Sequence, residues 1–138
     1  MSINLNLLEI KKSKIRNAGL GCFAKTFIPA GTLIGPYHGR YITALQRRRI
    51  SDGAYIWKIN ENLFVDAKRY KKNNPLRYVN GSKTEFQKKK INCEVRFLGS
   101  SPETEKVYYI TTKNILPGEE LIVSYGDHYF GCHRNKIN

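Results

Sequence analysis

The sequence predicts a mainly β domain, β-rich α+β in class, and three observations predict it. Apolar and polar residues alternate over short runs such as "AYIWKINENLFVDA" and "INCEVRFLG", the period-2 pattern of half-buried strands. Turn residues bound those runs, among them Pro29-Ala30-Gly31 and Pro117-Gly118. One segment, "ITALQRRRISD", carries the best helix signature, with Thr43 as N-cap and arginines toward its end.

Each element follows in order. "GLGCFAKTFIPAGTLIGPYHG" holds two brief strands on either side of the Pro29-Ala30-Gly31 turn. After the helix, "AYIWKINENLFVDA" reads as a hairpin about Asn60-Glu61-Asn62. "YKKNNPLRYVN" holds a short helical turn before Pro75. Asn80-Gly81 carries a hairpin-turn signal, because both residues accept positive φ. "GSKTEFQKKK" is a basic surface excursion. "INCEVRFLG" and "KVYYITTKNI" pair through "SSPETE", and "LPGEE" turns into a last strand, "LIVSYG". With no internal repeat and no linker, residues 1–138 form one domain, its core at about 10–130 and a short tail at 127–138.

Composition narrows the function classes. A hydrophobic share of 41% and an aromatic share of 12% are those of a globular chain. The apolar runs are short and broken by charge, which excludes a helical membrane span, and no secretory signal opens the chain, so an intracellular site is expected. Cys22, Cys93 and Cys132 form no CxxC pair and read as small buried or free thiols in a reducing compartment. Lys and Arg number 24 against 11 Asp and Glu, a formal net charge of +13 that points to polyanions, nucleic acid first. The basic runs at 47–49, 68–72 and 88–90 have no aromatic stacking platform, so they supply affinity rather than base reading. His38, His128 and His133 are expected at the surface.

"GLGCFA", "RYVNGS" and "GEELIVSYG", in this order, together resemble the SET domain of S-adenosylmethionine-dependent protein lysine methyltransferases. "TLIGPYHG" looks like that family's E-Y-x-G strand and "AYIWKI…VDA" like its Y-x-F…D-A strand pair. Five ordered elements from about Ile10 to Phe130 make the resemblance specific, where any one alone is weak. It implies several small β-sheets, few short helices and a C-terminal pseudoknot that brings "RYVN" and "SYG" side by side.

The resemblance also implies roles. Gly19, Leu20, Gly21 and Cys22 let a ligand lie against backbone, and Arg77, Tyr78, Asn80 and Gly81 match the R-F-x-N-H element that holds the cofactor. Gly81 stands where the family carries His, as in its PR-type branch. Tyr125 takes the place of the active-site tyrosine, and Tyr37 and Tyr55 match tyrosines of the lysine channel. Val123, with Val95, sits where a ring restricts the number of methyl groups, so di- or trimethylation is expected. Tyr129 and Phe130 close the channel and cover the cofactor. The resemblance assigns Asn92 a structural role at the crossing and Asp66 a scaffold role. Only Cys132 follows Tyr125, and Lys83 stands where the family has Cys, so no zinc is expected and another element or a partner subunit, a homodimer included, covers the channel.

The activity so implied is methyl transfer from S-adenosylmethionine to a histone tail lysine, leaving S-adenosylhomocysteine, in a nuclear or chromatin setting. The basic remainder is expected to meet nucleosomal DNA. Glu103, Glu105, Glu119 and Glu120 are the candidates for a locally acidic peptide groove. Two other readings stay open: a PR-like interaction module without turnover, and a basic nucleic-acid binder on a SET-like scaffold.

Overall fold

Strands β1 (Leu8–Lys12) and β2 (Leu20–Ala24) pair antiparallel, with Leu8 opposite Ala24 and Lys12 opposite Leu20, in the computed structural model of the chain. The structure describes residues 3–82 and 88–124. A second, three-stranded sheet has the order β4 (Arg40–Ile42), β6 (Leu63–Asp66), β5 (Ile56–Asn60), all antiparallel, and contains the hairpin read from "AYIWKINENLFVDA". The third sheet runs β3 (Leu33–Pro36), β9 (Lys106–Thr111), β8 (Cys93–Leu98), β10 (Ile122–Val123), β7 (Asn80–Gly81). Within it β8 and β9 are the antiparallel pair joined across "SSPETE".

Helix α1 (Ala44–Arg48) is one short piece with a reciprocal cap: Gln46 N–H donates to Thr43 Oγ1 at 3.2 Å, and Thr43 N–H donates to Gln46 Oε1 at 2.8 Å. The helical turn near Pro75 begins at that proline, as a 3-10 turn over Pro75–Tyr78, rather than before it. Proline suits that first position, because it lacks the N–H that the first turn leaves unpaired. Among the described residues no helix is long and apolar enough to cross a membrane.

The Asn80-Gly81 hairpin does not form. Neither residue has positive φ; the two form β7 and pair in parallel with Ile122 and Val123. The turn propensity yields to tertiary pairing, because β10 offers both residues backbone partners in a buried place. Strand β10 lies between β7 and β8, parallel to both, so the segment before Tyr125 passes alongside the Arg77–Gly81 segment.

The core draws on all three sheets. At its centre Tyr37 stacks on Tyr109, with centroids 5.9 Å apart, and Trp57 meets both edge-on. Trp57 Nε1–H donates to the Tyr109 hydroxyl at 2.9 Å, so the one polar atom of the indole has a partner inside the core.

Candidate functional site

The G-x-G segment is shaped by two different constraints. Gly19 has φ +74, a conformation that a side chain strains, and its carbonyl accepts from Ser13 N–H at 2.8 Å. Gly21 is needed for space: a Cβ there would run into the Glu120 carboxylate and lie 3.1 Å from Ser13 Cβ. Gly21 therefore faces a side chain of this protein. Leu20, between them, is exposed, and its carbonyl accepts from Asn80 Nδ2 at 3.1 Å.

Glu120 is the hub of this region. Its Oε2 accepts from Ser13 Oγ at 2.6 Å and from Asn80 Nδ2 at 3.3 Å, and its Oε1 accepts from Lys14 N–H at 2.9 Å. Four chain segments, around Ser13, Leu20, Asn80 and Glu120, are tied by one buried carboxylate. The expected place of Glu120 in an acidic peptide groove is thereby corrected: the residue is 9% exposed and its oxygens are taken by internal donors. Sequence reading missed this hub because "GEE" is also an ordinary turn, and the donors lie 40 to 107 residues away.

Asn92 completes the crossing. Its Nδ2 donates to the Glu120 carbonyl at 2.9 Å and its Oδ1 accepts from Ile122 N–H at 2.8 Å, so one side chain replaces a missing stretch of ladder. Val123, fully buried, pairs with Gly81 on one side and Cys93 on the other, and Val95 lies opposite Tyr109.

A second group forms around Arg77. Its Nε donates to the Ala67 carbonyl at 3.1 Å and its NH2 group to the Lys68 carbonyl at 3.0 Å. The guanidinium carbon lies 4.0 Å from the Tyr55 ring centroid and 4.8 Å from that of Tyr78. Tyr37 joins through its hydroxyl, which donates to the Tyr55 carbonyl at 2.8 Å. Tyr55, Lys68, Arg69, Lys71, Arg77 and Tyr78 line an open cavity of about 770 Å³. Asp66 serves the turn beneath it, its Oδ1 accepting from Lys68 N–H at 2.9 Å.

The structure thus brings Leu20, Gly21 and Asn80 together, and separately Tyr37, Tyr55 and Arg77, with Pro75–Gly81 joining the groups. Cys22 is buried in β2; desolvation first, then Cys93 and Glu120 nearby, push its thiol far above the ordinary range. Burial alone pushes the Cys93 thiol up to about 12. Neither behaves as a reactive thiolate. Tyr125, Tyr129 and Phe130 lie outside the described residues, as do Cys132, His128 and His133. Among the described residues no three His, Cys, Asp or Glu side chains gather where a metal ion would bind.

Small sheets packed around a crossing in which β10 lies between β7 and β8 define a SET-like domain. Solved structures agree: the methyltransferase domain of human PR domain-containing protein 2 superposes with TM-score 0.68 at 27% identity, covering 88% of this chain and 79% of that one. The SET domain of ATXR5, in complex with histone H3 di-methylated on R26, gives TM-score 0.73 at 21% identity, covering 94% of this chain and 62% of that one, and speaks for the fold alone. The family described as the PR domain of PR domain zinc finger protein 2 matches residues 8–135. The chain belongs to this PR-domain branch of the SET-domain protein lysine methyltransferase family.

Curated relatives include histone-lysine N-methyltransferase set-17 of Caenorhabditis elegans, 31% identical over 126 residues that make up 89% of this chain and 42% of the relative. Human histone-lysine N-methyltransferase PRDM7 is 31% identical over 127 residues, 88% of this chain and 24% of the relative. The chain spans less than half the length of either.

Proposed function

We propose that the chain is an S-adenosylmethionine-dependent protein lysine methyltransferase that acts on a histone tail lysine in a nuclear, chromatin setting. The observation that carries this reading is the meeting of the G-x-G and R-x-x-N segments at the Asn80–Leu20 contact, inside a chain of the PR-domain family. The relatives named as histone-lysine methyltransferases support it. The +13 charge further supports contact with nucleosomal DNA.

The residues present fit the cofactor. The cavity beside Tyr55 and Tyr78 combines aromatic walls, which suit a sulfonium and a purine, with Lys68, Arg69 and Lys71, which suit a carboxylate. Leu20, Asn80, Tyr55 and Arg77 are the residues proposed to hold it. Gly21 and Cys22 act behind them, since the first abuts Glu120 and the second is wholly buried. When bound, S-adenosylmethionine supplies an electrophilic methyl on a sulfonium.

This chain's residues have two tasks. They lower the pKa of the lysine ammonium, ordinarily near 10.4, by desolvating it in an aromatic channel beside a positive charge, so that it gives its proton to solvent water. They then hold the amine in line with the methyl, so that alignment supplies most of the rate. Tyr125 is proposed to polarise the methyl through its hydroxyl. Tyr37 is proposed to shape the channel by fixing the Tyr55 backbone, to which its hydroxyl donates.

Calorimetric titration with S-adenosylmethionine, followed by tritiated-methyl transfer to separate histones and nucleosomes, tests the proposal. Binding and transfer are expected, with Tyr125→Phe slowing transfer about a hundredfold or more. No cofactor binding at millimolar concentration rejects the enzyme reading in favour of an interaction module. Because Val123 and Val95 present no ring, di- and trimethyl products are expected by mass spectrometry; only monomethyl product at long incubation refutes that part. Metal analysis is expected to find no stoichiometric zinc.

A further inference from the structure

A second cavity, of about 390 Å³, lies behind the Glu120 hub and, among the described residues, shares no lining residue with the cavity beside Tyr55 and Arg77. Three separate stretches send cations to it: Lys14 and Arg16 from the loop between β1 and β2, Lys89 and Lys90 from the segment before β8, and Lys113 from the turn after β9. Two carboxylates also line it, and both are engaged by internal donors. Glu120 accepts from Ser13, Lys14 N–H and Asn80, and Glu119 Oε1 accepts from Leu116 N–H at 2.6 Å.

Among the described residues Lys14, Arg16, Lys89 and Lys113 make no ion pair, although all four are exposed. Among the described lining residues these four cations outnumber the two carboxylates, which leaves a positive excess, and bringing like charges together raises the energy of the site. The loop carrying Lys14 and Arg16 is also fixed in place: Ser13 Oγ accepts from Ile15 N–H at 3.0 Å while donating to Glu120. Lys113 Nζ donates to the Lys89 carbonyl at 3.2 Å, which holds two of the stretches to each other.

We infer that this cavity binds the phosphate backbone of duplex DNA, independently of sequence. The lining decides between polyanions. Among the described residues its apolar members are Ile15 and Ile122, set among five cations, whereas protein interfaces draw their energy from an apolar core. A polar, strongly positive surface is the composition of nucleic-acid interfaces. Cations drawn from three stretches suit successive phosphates, the contacts that position a protein on DNA without reading its sequence. The inference rests on the chromatin setting of the proposed function and locates its DNA contact.

The test is anisotropy of a fluorescein-labelled duplex of about 30 base pairs, titrated with the full chain over a series of salt concentrations. The pocket variant is Lys14→Gln with Lys89→Gln and Lys113→Gln. The control removes equal charge from the exposed β4–α1 segment, through Arg40→Gln, Arg48→Gln and Arg49→Gln. The pocket variant is expected to weaken binding at least tenfold and to flatten the slope of log K against log salt by about 3, while the control loses less than about threefold.

Equal losses in the two variants mean diffuse charge and overturn the inference, as does wild-type affinity in the pocket variant. Polyglutamate displacing the duplex at equal charge concentration assigns the cavity to an acidic protein instead. Complete displacement by millimolar inorganic phosphate assigns it to a small anion. Methyl transfer to free histone is expected to be unchanged in the pocket variant. Loss of that transfer in wild type with DNA binding intact would sink the enzyme reading and leave this one standing.

Discussion

The aromatic centre and the polar crossing are both buried, yet opposite chemistries close them. Tyr37, Trp57 and Tyr109 pack ring on ring with centroids 5.9 to 6.4 Å apart, and a hydrogen bond joins indole to phenol. The crossing instead joins Ser13, Asn80, Glu120 and Asn92 through short polar contacts between segments as far as 107 residues apart. Packing of rings tolerates volume-conserving changes. A buried polar network does not, because each deleted partner leaves others desolvated and unpaired. The crossing also carries Asn80 and the Leu20 carbonyl, so the less tolerant region is the one beside the proposed cofactor wall.

Removal of the indole gives the largest expected effect. Trp57→Ala should cost about 3–5 kcal/mol, measured by urea unfolding, because a fully buried bicyclic side chain leaves a cavity between two tyrosines. Tyr109→Phe keeps the ring volume and should cost much less. Equal losses in the two variants would mean that hydrogen bonding, and not packing, holds the aromatic centre, and the contrast with the crossing would disappear.

Asn92→Ala comes next, at about 2–4 kcal/mol, since it strips partners from two buried backbone groups, the Glu120 carbonyl and the Ile122 N–H. Asn92→Asp should do no better than Asn92→Ala, because a carboxylate cannot donate to the Glu120 carbonyl. Wild-type stability in Asn92→Asp would show that the amide donor is dispensable. Methyl transfer should fall with stability in both variants, as β10 leads directly to Tyr125.

Gly21→Ala sharpens the comparison at the level of a single methyl. The new Cβ displaces the Glu120 carboxylate and with it the bonds to Ser13 and Asn80, so about 1–3 kcal/mol should be lost. In a Glu120→Ala background the same change should cost less, since only the contact with Ser13 Cβ remains. A double-mutant cycle should therefore return a coupling of about 1–3 kcal/mol. Additive losses would place the need for Gly21 elsewhere. Cofactor affinity, measured on the folded fraction, should drop in Gly21→Ala and recover less than stability does in the double variant, because Asn80 stays unanchored.

The sequence exposes these two regions unequally. Alternation in "AYIWKI" and "KVYYIT" is enough to place Trp57 and Tyr109 on strands, because burial of apolar faces follows from period alone. The cap of α1 is legible in Thr43 for the same local reason. Asn80-Gly81 misleads, since a two-residue turn signal is local while the pairing that overrides it comes from β10, some 40 residues on. Glu120 stays hidden because nothing near it in sequence reports its donors. Family likeness finds the segments that meet; only the folded arrangement shows that a carboxylate joins them.

The surface pair Asp52–Lys68 supplies the baseline for both regions and the smallest effect. Asp52 accepts from Ala54 N–H at 3.1 Å and lies 3.2 Å from Lys68 Nζ, with both side chains about half exposed. The Ala54 N–H first, then Lys68, hold its carboxyl below the ordinary aspartate range. Because the folded pKa is the lower one, the contribution is present above the unfolded pKa and is lost as pH falls through the folded value. Solvent screening keeps it to about 0.5 kcal/mol or less. Urea unfolding of wild type and Asp52→Asn should show that small gap near neutral pH, closing as the pH falls through the folded pKa and shrinking in high salt. A gap that widens in acid would reverse the sign of the argument. A gap as large as that of Asn92→Ala would mean that exposure does not separate weak polar contacts from strong ones in this fold.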